Sequence, residues 1–146
     1  MSTQYALELP NDVRSIERAV GYLMQRCRDA GFEGERLRLN FRVGVTEALT
    51  NAMVYGNAGD PGKRVRVEVR ATDRAVHVRI TDEGHGFDPG RVPDPTLPSN
   101  RSRAGGRGIF LIRELMDRVE YNERGNSVTM VLEAEPEHAE REAARA

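Results

Sequence analysis

Asp82-Glu83-Gly84-His85-Gly86-Phe87-Asp88 is the stretch on which the reading of this chain turns. An acid ends an alternating run in which Val76, Val78 and Ile80 face one way and His77, Arg79 and Thr81 the other. That period of two marks a strand with one apolar face. Two glycines one residue apart follow the acid. Glycine lets the backbone take conformations closed to other residues and approach a ligand closely. An acid at a strand end can accept a hydrogen bond from an exocyclic amine, such as N6 of adenine. In isolation the motif reads equally as a plain Asp-x-Gly turn.

Beyond it, glycine and proline crowd. Six of the 14 glycines and four of the 7 prolines fall between Gly84 and Gly108. The segment with Pro89, Pro93, Pro95 and Pro98 ends at Gly105-Gly106-Arg107-Gly108-Ile109-Phe110. There glycines lead into an apolar helix carrying Ile109, Ile112, Leu115 and Met116. Free N–H groups at such a helix start, helped by the helix dipole, suit phosphate, and Arg107 adds a positive charge. A flexible linker running into a helix is the alternative. A loop of about 20 residues between the two glycine clusters is long for a compact domain, and a lid over a nucleotide accounts for it.

Ahead of the motif, Arg64 to Ala71 alternates valine with charged residues and pairs as a hairpin with the strand ending at Thr81 across Thr72-Asp73. Further back, Leu37, Phe41, Val45, Ala48, Leu49 and Ala52 mark the buried side of a helix from about residue 34 to 55. Glu47 and Asn51 lie four apart on it, so they share one face. A carboxamide oxygen can hold a hydrated Mg²⁺ and leave the carboxylate as a base. A solvated polar pair is the other reading.

The N-terminal part contributes a strand from Gln4 to Leu9, a cap at Asn11, and a helix with Val13, Ile16, Val20, Leu23 and Cys27 on one face, closed by Gly31 and Gly34. A final hairpin turns at Gly125-Asn126. The order strand, helix, helix, two strands, loop, helix, two strands predicts an α/β (α+β) two-layer sandwich. Its mixed, mostly antiparallel sheet carries helices on one face. One domain is expected over residues 1–134, with a charged tail from 135 to 146.

Composition narrows the function. The chain has 146 residues, 38% hydrophobic and 31% charged, which fits one globular domain. A net charge of -1 gives no basic excess for nucleic acid or a membrane surface. Cys27 is the single cysteine, so no internal disulfide framework exists. No apolar run approaches the ~18–20 residues of a membrane span. The first residues lack the basic and apolar regions of a signal peptide, and a cytoplasmic protein is expected. Lys63 is the only lysine; it follows Gly62, but Arg64 stands where a phosphate loop requires Ser or Thr. Any nucleotide site here works without a P-loop lysine.

Taken together, Glu47…Asn51-Ala52, Asp82-x-Gly84-x-Gly86 and Gly106-x-Gly108 resemble the N box and the two glycine boxes of the GHKL (Bergerat-fold) ATPases. The similarity spans about Leu7 to Leu132. Gly108-Ile109-Phe110-Leu111-Ile112-Arg113-Glu114-Leu115-Met116-Asp117 and the stretch from Asp82 to Asp88 are similar to the anti-sigma factor serine/threonine kinase branch.

The resemblance implies a Bergerat-type sheet with an ATP lid, and ATP and Mg²⁺ as cofactors. It implies that Asn51 ligates Mg²⁺ and that Glu47 is the base for a substrate serine. Asp82 would bind the adenine amine, Gly84 and Gly86 would shape the adenine end, and Gly106 and Gly108 the phosphate end. Arg101, Arg103 and Arg107 are candidates for neutralising γ-phosphate charge. Asn126-Ser127 stand where the family often has Thr after the hairpin glycine, so Ser127 is the candidate hydroxyl. The partners implied are a sigma factor, a STAS-domain anti-anti-sigma protein and a second copy of the chain, with no direct nucleic-acid or membrane contact. A non-catalytic ATP/ADP-binding, partner-switching module is the alternative. A sensor histidine kinase fragment would need a phosphoacceptor histidine on a dimerising helix, and His77, His85 and His138 fall in a strand, a loop and the tail.

Overall fold

The computed structural model describes residues 2–85 and 106–135, with the side chain of Arg107 outside that description. The expected lid segment, with Gly86, Arg101 and Arg103, and the tail beyond Glu135 also lie outside the described residues.

Five strands form one sheet: β1 (Thr3–Pro10), β2 (Arg64–Ala71), β3 (Ala75–Thr81), β4 (Arg118–Tyr121) and β5 (Ser127–Glu133). Their spatial order is β1-β2-β3-β5-β4. The sheet was expected to be mixed and mostly antiparallel; every described pairing is antiparallel. The reason is the connections. Two hairpins supply β2–β3 and β4–β5, and β4 takes the edge, so β5 returns beside β3 in the opposite direction.

Alternation sorts the sheet's two faces. Val65, Val67, Val69, Val76, Val78, Ile80, Val128, Met130 and Leu132 are all buried beneath the helices. Arg64, Arg66, Arg70 and Arg79 on the opposite face are exposed. This is the one-sided burial expected of an antiparallel sheet with a single helical layer.

That layer consists of α1 (Ile16–Asp29), α2 (Arg42–Thr50) and α3 (Gly106–Leu115). In α1 the buried residues Ile16, Ala19, Val20, Leu23, Met24 and Cys27 recur at helical spacing. Asp12, not Asn11, caps the turn before α1: its side chain accepts from the Arg14 N–H. Asn11 reaches instead across the fold, donating to the carbonyls of Met53 and Asp60. Gly31 and Gly34 have φ of 91° and 109°, left-handed values that suit glycine and end the helix where the sequence predicts.

The second helical stretch runs from Arg36 to Gly56, with wider π-type turns over Arg36–Phe41 and Asn51–Gly56 on either side of α2. Phe41, Leu37, Val45 and Leu49 are fully buried against the sheet. Removing a ring such as that of Phe41 would cost about 3–5 kcal/mol.

The C-terminal end of α3 is anchored on this stretch. Asn40 donates to the Leu115 carbonyl at 2.8 Å, satisfying a helix-end acceptor. Met116 packs on the bare backbone of Gly44, where a Cβ would collide with its methyl. Arg36 bonds Asp117 and the Glu133 carbonyl, at 2.9 and 2.8 Å, and Asp117 accepts from the Glu133 N–H at 2.6 Å. These contacts leave the opposite, N-terminal end of α3 facing Asn51.

Candidate nucleotide site

Glu47 and Asn51 project from the second helical stretch, one turn apart, both half-buried. Gly108 at the start of α3 lies against them. A Cβ there would stand 3.0 Å from Asn51 Nδ2, 3.1 Å from Asn51 Oδ1 and 3.1 Å from Glu47 Oε2. The second glycine cluster, 57 residues on from Asn51 in sequence, thus closes directly over the carboxylate and the carboxamide. Buried Asn51 Nδ2 has no hydrogen-bond partner among the described residues. A native fold rarely leaves such a donor unpaired without a reason, and a ligand is one. The N-terminal N–H groups of α3 face the same region, which favours an anion there.

The donor set fits magnesium. Mg²⁺ is usually held by one or two protein oxygens, several waters and substrate phosphates rather than by a full protein cage. The Asn51 oxygen beside Glu47 is the sort of sparse ligand that ion accepts.

Little more than one turn beyond Asn51 on the second helical stretch is a different cluster. Gly56, Asp82 and Gly84 meet there with almost no space between them. A Cβ at Gly84 would overlap the Gly56 carbonyl, and one at Gly56 would overlap Asp82 Oδ2. Glycine at both positions allows helix end and strand end to touch backbone to backbone. Asp82 is 9% exposed. Its Oδ1 accepts from the Gly84 N–H at 2.8 Å, which leaves Oδ2 for another donor. Its backbone is held by Asn126, with Asp82 N–H donating to the Asn126 carbonyl at 2.9 Å and Asn126 Nδ2 donating back at 3.3 Å. Burial pushes the Asp82 carboxyl above its ordinary range, while the Gly84 N–H and the charges of Lys63 and Arg124 pull the other way.

Of the residues singled out in the sequence, the structure brings Glu47, Asn51 and Gly108 into one cluster and Asp82 and Gly84 into the next. Gly106 opens α3, two residues ahead of Gly108. Ser127 does not join either group. Its hydroxyl bonds Thr81 at 2.8 Å and accepts from Arg79 Nε at 3.1 Å. The alternation that buries Val128, Met130 and Leu132 under the helices turns Ser127 to the opposite face of the sheet. The described bonds place the Ser127 hydroxyl with Thr81 and Arg79 rather than with the Asp82 carboxylate.

Two site residues escape a reading of the sequence. Gly56 lies outside both glycine clusters, and only its contact with Asp82 and Gly84 gives it significance. Asn57 is fully buried, and a polar residue following a helix's last glycine carries no local sign of that.

The fold and this arrangement define an ATPase-type nucleotide-binding domain. Residues 9–132 match the histidine kinase-like ATPase domain family, and the chain belongs to that family. The chain is similar to the serine-protein kinase RsbW of Listeria innocua, 31% identical over 137 residues that cover 89% of this chain and 87% of the relative. The serine/threonine-protein kinase BtrW of Bordetella bronchiseptica is 32% identical over 108 residues, covering 70% and 75%. The anti-sigma F factor of Oceanobacillus iheyensis is 35% identical over 92 residues, covering 59% and 62%. The branch to which the motifs are similar is thus the one its relatives carry in their names. No helix among the described residues is long and apolar enough to cross a membrane.

Proposed function

We propose that this chain is an ATP-dependent protein serine/threonine kinase. It phosphorylates a STAS-domain anti-anti-sigma protein, and it holds a sigma factor when that antagonist is phosphorylated. The observation that carries the reading is the closure of Gly108 over Glu47 and Asn51, which supports a phosphate end built around a base and a metal ligand. The names of the relatives support a protein serine or threonine as the acceptor and a sigma factor as a partner, and the STAS-domain antagonist is what the resemblance to the anti-sigma kinase branch implies. A homodimer and Mg²⁺ held through Asn51 belong to the same proposal.

In the reaction, the substrate's serine oxygen attacks the γ-phosphorus of ATP. The new O–P bond forms as the bond to the β-phosphate oxygen breaks, and ADP leaves. Glu47 takes the serine proton, a role worth about 10²–10⁴-fold in rate. Asn51 presents its amide oxygen toward the phosphates. The N–H groups opening α3 offset charge on the transferring group. Mg²⁺, when bound, neutralises phosphate charge and orients it for in-line transfer. Asp82 Oδ2 accepts from the adenine amine, and the bare backbones of Gly56 and Gly84 let the turn carrying Asp82 sit directly against the helix end.

Incubation of the chain with ATP, Mg²⁺ and its STAS-domain antagonist tests this. Phosphoserine is expected with the wild type and not with Glu47→Ala. Tight nucleotide binding with no phosphoserine from either protein would instead indicate a non-catalytic switching module.

A further inference from the structure

We propose that Asn57 is a positioning residue for recognition of the adenine base, acting by clamping the turn that carries Asp82. The inference rests on the adenine-nucleotide reading above and adds to it a residue outside the glycine and N boxes.

Asn57 is 0% exposed, and its carboxamide is spent on three separate parts of the chain. Nδ2 donates to the Arg64 carbonyl at 3.0 Å and to Asn11 Oδ1 at 3.2 Å. Oδ1 accepts from the Glu83 N–H at 2.8 Å. Its own N–H donates to the Ala52 carbonyl at 2.7 Å, closing the wide turn that begins at Asn51. A carboxamide is the side chain that donates twice and accepts at once in this small space. Leucine would strand the Glu83 N–H and the Arg64 carbonyl, and aspartate would lose both donations.

The Glu83 bond matters for the site. Glu83 lies between Asp82 and Gly84, within the turn where Gly84 N–H donates to Asp82 Oδ1. Asn126 holds Asp82 from the β5 side, and Asn57 holds the next residue from the helix side. With both in place, Oδ2 has one direction, beside the bare Gly56. Asn57 also follows directly on the helical stretch bearing Glu47 and Asn51. It therefore sets the adenine-recognising oxygen relative to the base and the metal ligand through one side chain.

Calorimetric titration of the full chain with ADP and with GDP, each with Mg²⁺, tests the clamp. Asn57→Ala is expected to weaken ADP binding about tenfold, the scale of one hydrogen bond lost in a dry site, and to leave GDP binding unchanged. The ADP-to-GDP preference therefore drops. Asn11→Ala serves as the structural control. It removes one of Asn57's three side-chain partners and the ties to Met53 and Asp60, so it lowers thermal stability while keeping that preference. An unchanged ADP-to-GDP preference in folded Asn57→Ala overturns the clamp, as does an equal loss in Asn11→Ala. A wild-type chain that binds no adenine nucleotide overturns the reading beneath it and the clamp together, a result distinct from either. If Asn57→Ala does not fold, hydrogen exchange at the Glu83 amide of the wild type decides. ADP is expected to slow it, and exchange indifferent to ADP counts as refutation.

Discussion

Replacement of Gly108 by alanine separates site from fold most cleanly. The added methyl would lie 3.0–3.1 Å from Asn51 Nδ2, Asn51 Oδ1 and Glu47 Oε2. Comfortable contact begins at about 3.5 Å, so each of these atoms must retreat by about 0.5 Å. All three are ends of side chains, and a small torsional adjustment of that kind costs about 0.5–1.5 kcal/mol. Alanine returns up to about 1 kcal/mol over glycine in a helix. The two nearly cancel, and the melting temperature is expected to move by less than about 4 °C. Chemistry is less forgiving. A displacement approaching 1 Å in a reacting group can cost about 10²-fold, and here both the base and the metal-holding amide are displaced. The rate of phosphoserine formation is expected to fall between about tenfold and 10²-fold, with a nearly unaltered melting curve. Thermal denaturation and initial-rate measurement on the same preparation make the comparison. A wild-type rate in folded Gly108→Ala would show that the closure over Glu47 and Asn51 is not part of the phosphate end. A collapse of stability would show that Gly108 serves packing alone.

Other outcomes follow from the same geometry. Glu47→Gln should lower phosphoryl transfer by about 10²–10⁴-fold while ADP affinity, measured calorimetrically, stays near that of the wild type. Asp82→Asn retains an acceptor for the Gly84 N–H but loses the charge that burial disfavours. It should therefore bind ADP more weakly while melting no lower than the wild type at pH 7. The pH dependence of ADP affinity has a definite sign. Burial holds the free-chain Asp82 above the ordinary value of 3.8, and a bound amine donor favours the ionised form, so affinity should fall as pH drops through that raised value. In the free chain the same shift acts oppositely on stability: protonating Asp82 relieves a buried charge, so its contribution improves below that pH. Cys27 is fully buried and its thiol is pushed up to about 12, so a thiol reagent at pH 8 should label it only after unfolding, as followed by absorbance.

Local pattern explains why so much of the fold was readable. Val65, Val67 and Val69 alternate because one side of β2 faces helices, and Val20, Leu23 and Cys27 recur at three and four because one side of α1 faces the sheet. Gly31 and Gly34 end α1 through a backbone requirement that any reader of glycine can anticipate. Where two local signals compete, the chain's local pattern does not choose between them. Asn11 and Asp12 are both good caps, and the folded chain uses Asp12, whose side chain accepts from the Arg14 N–H while Asn11 turns to Met53 and Asp60. Ser127 follows a hairpin glycine, and strand parity sets its hydroxyl beside Thr81 on the face of the sheet away from the helices.

Residue spacing alone carries the order of elements, the buried stripes and three short motifs with chemistry suited to a nucleotide. Each is written within a few residues, at the periods of helix, strand and turn. Tertiary structure decided that Gly108 meets Asn51, that Gly56 makes room for Asp82, and that Asn57 holds Glu83 across 26 residues. Such contacts arise when packing brings distant backbones within hydrogen-bond range. Periodicity carries no record of them, because the partner of a buried polar group is chosen by the whole fold rather than by its neighbours in the chain.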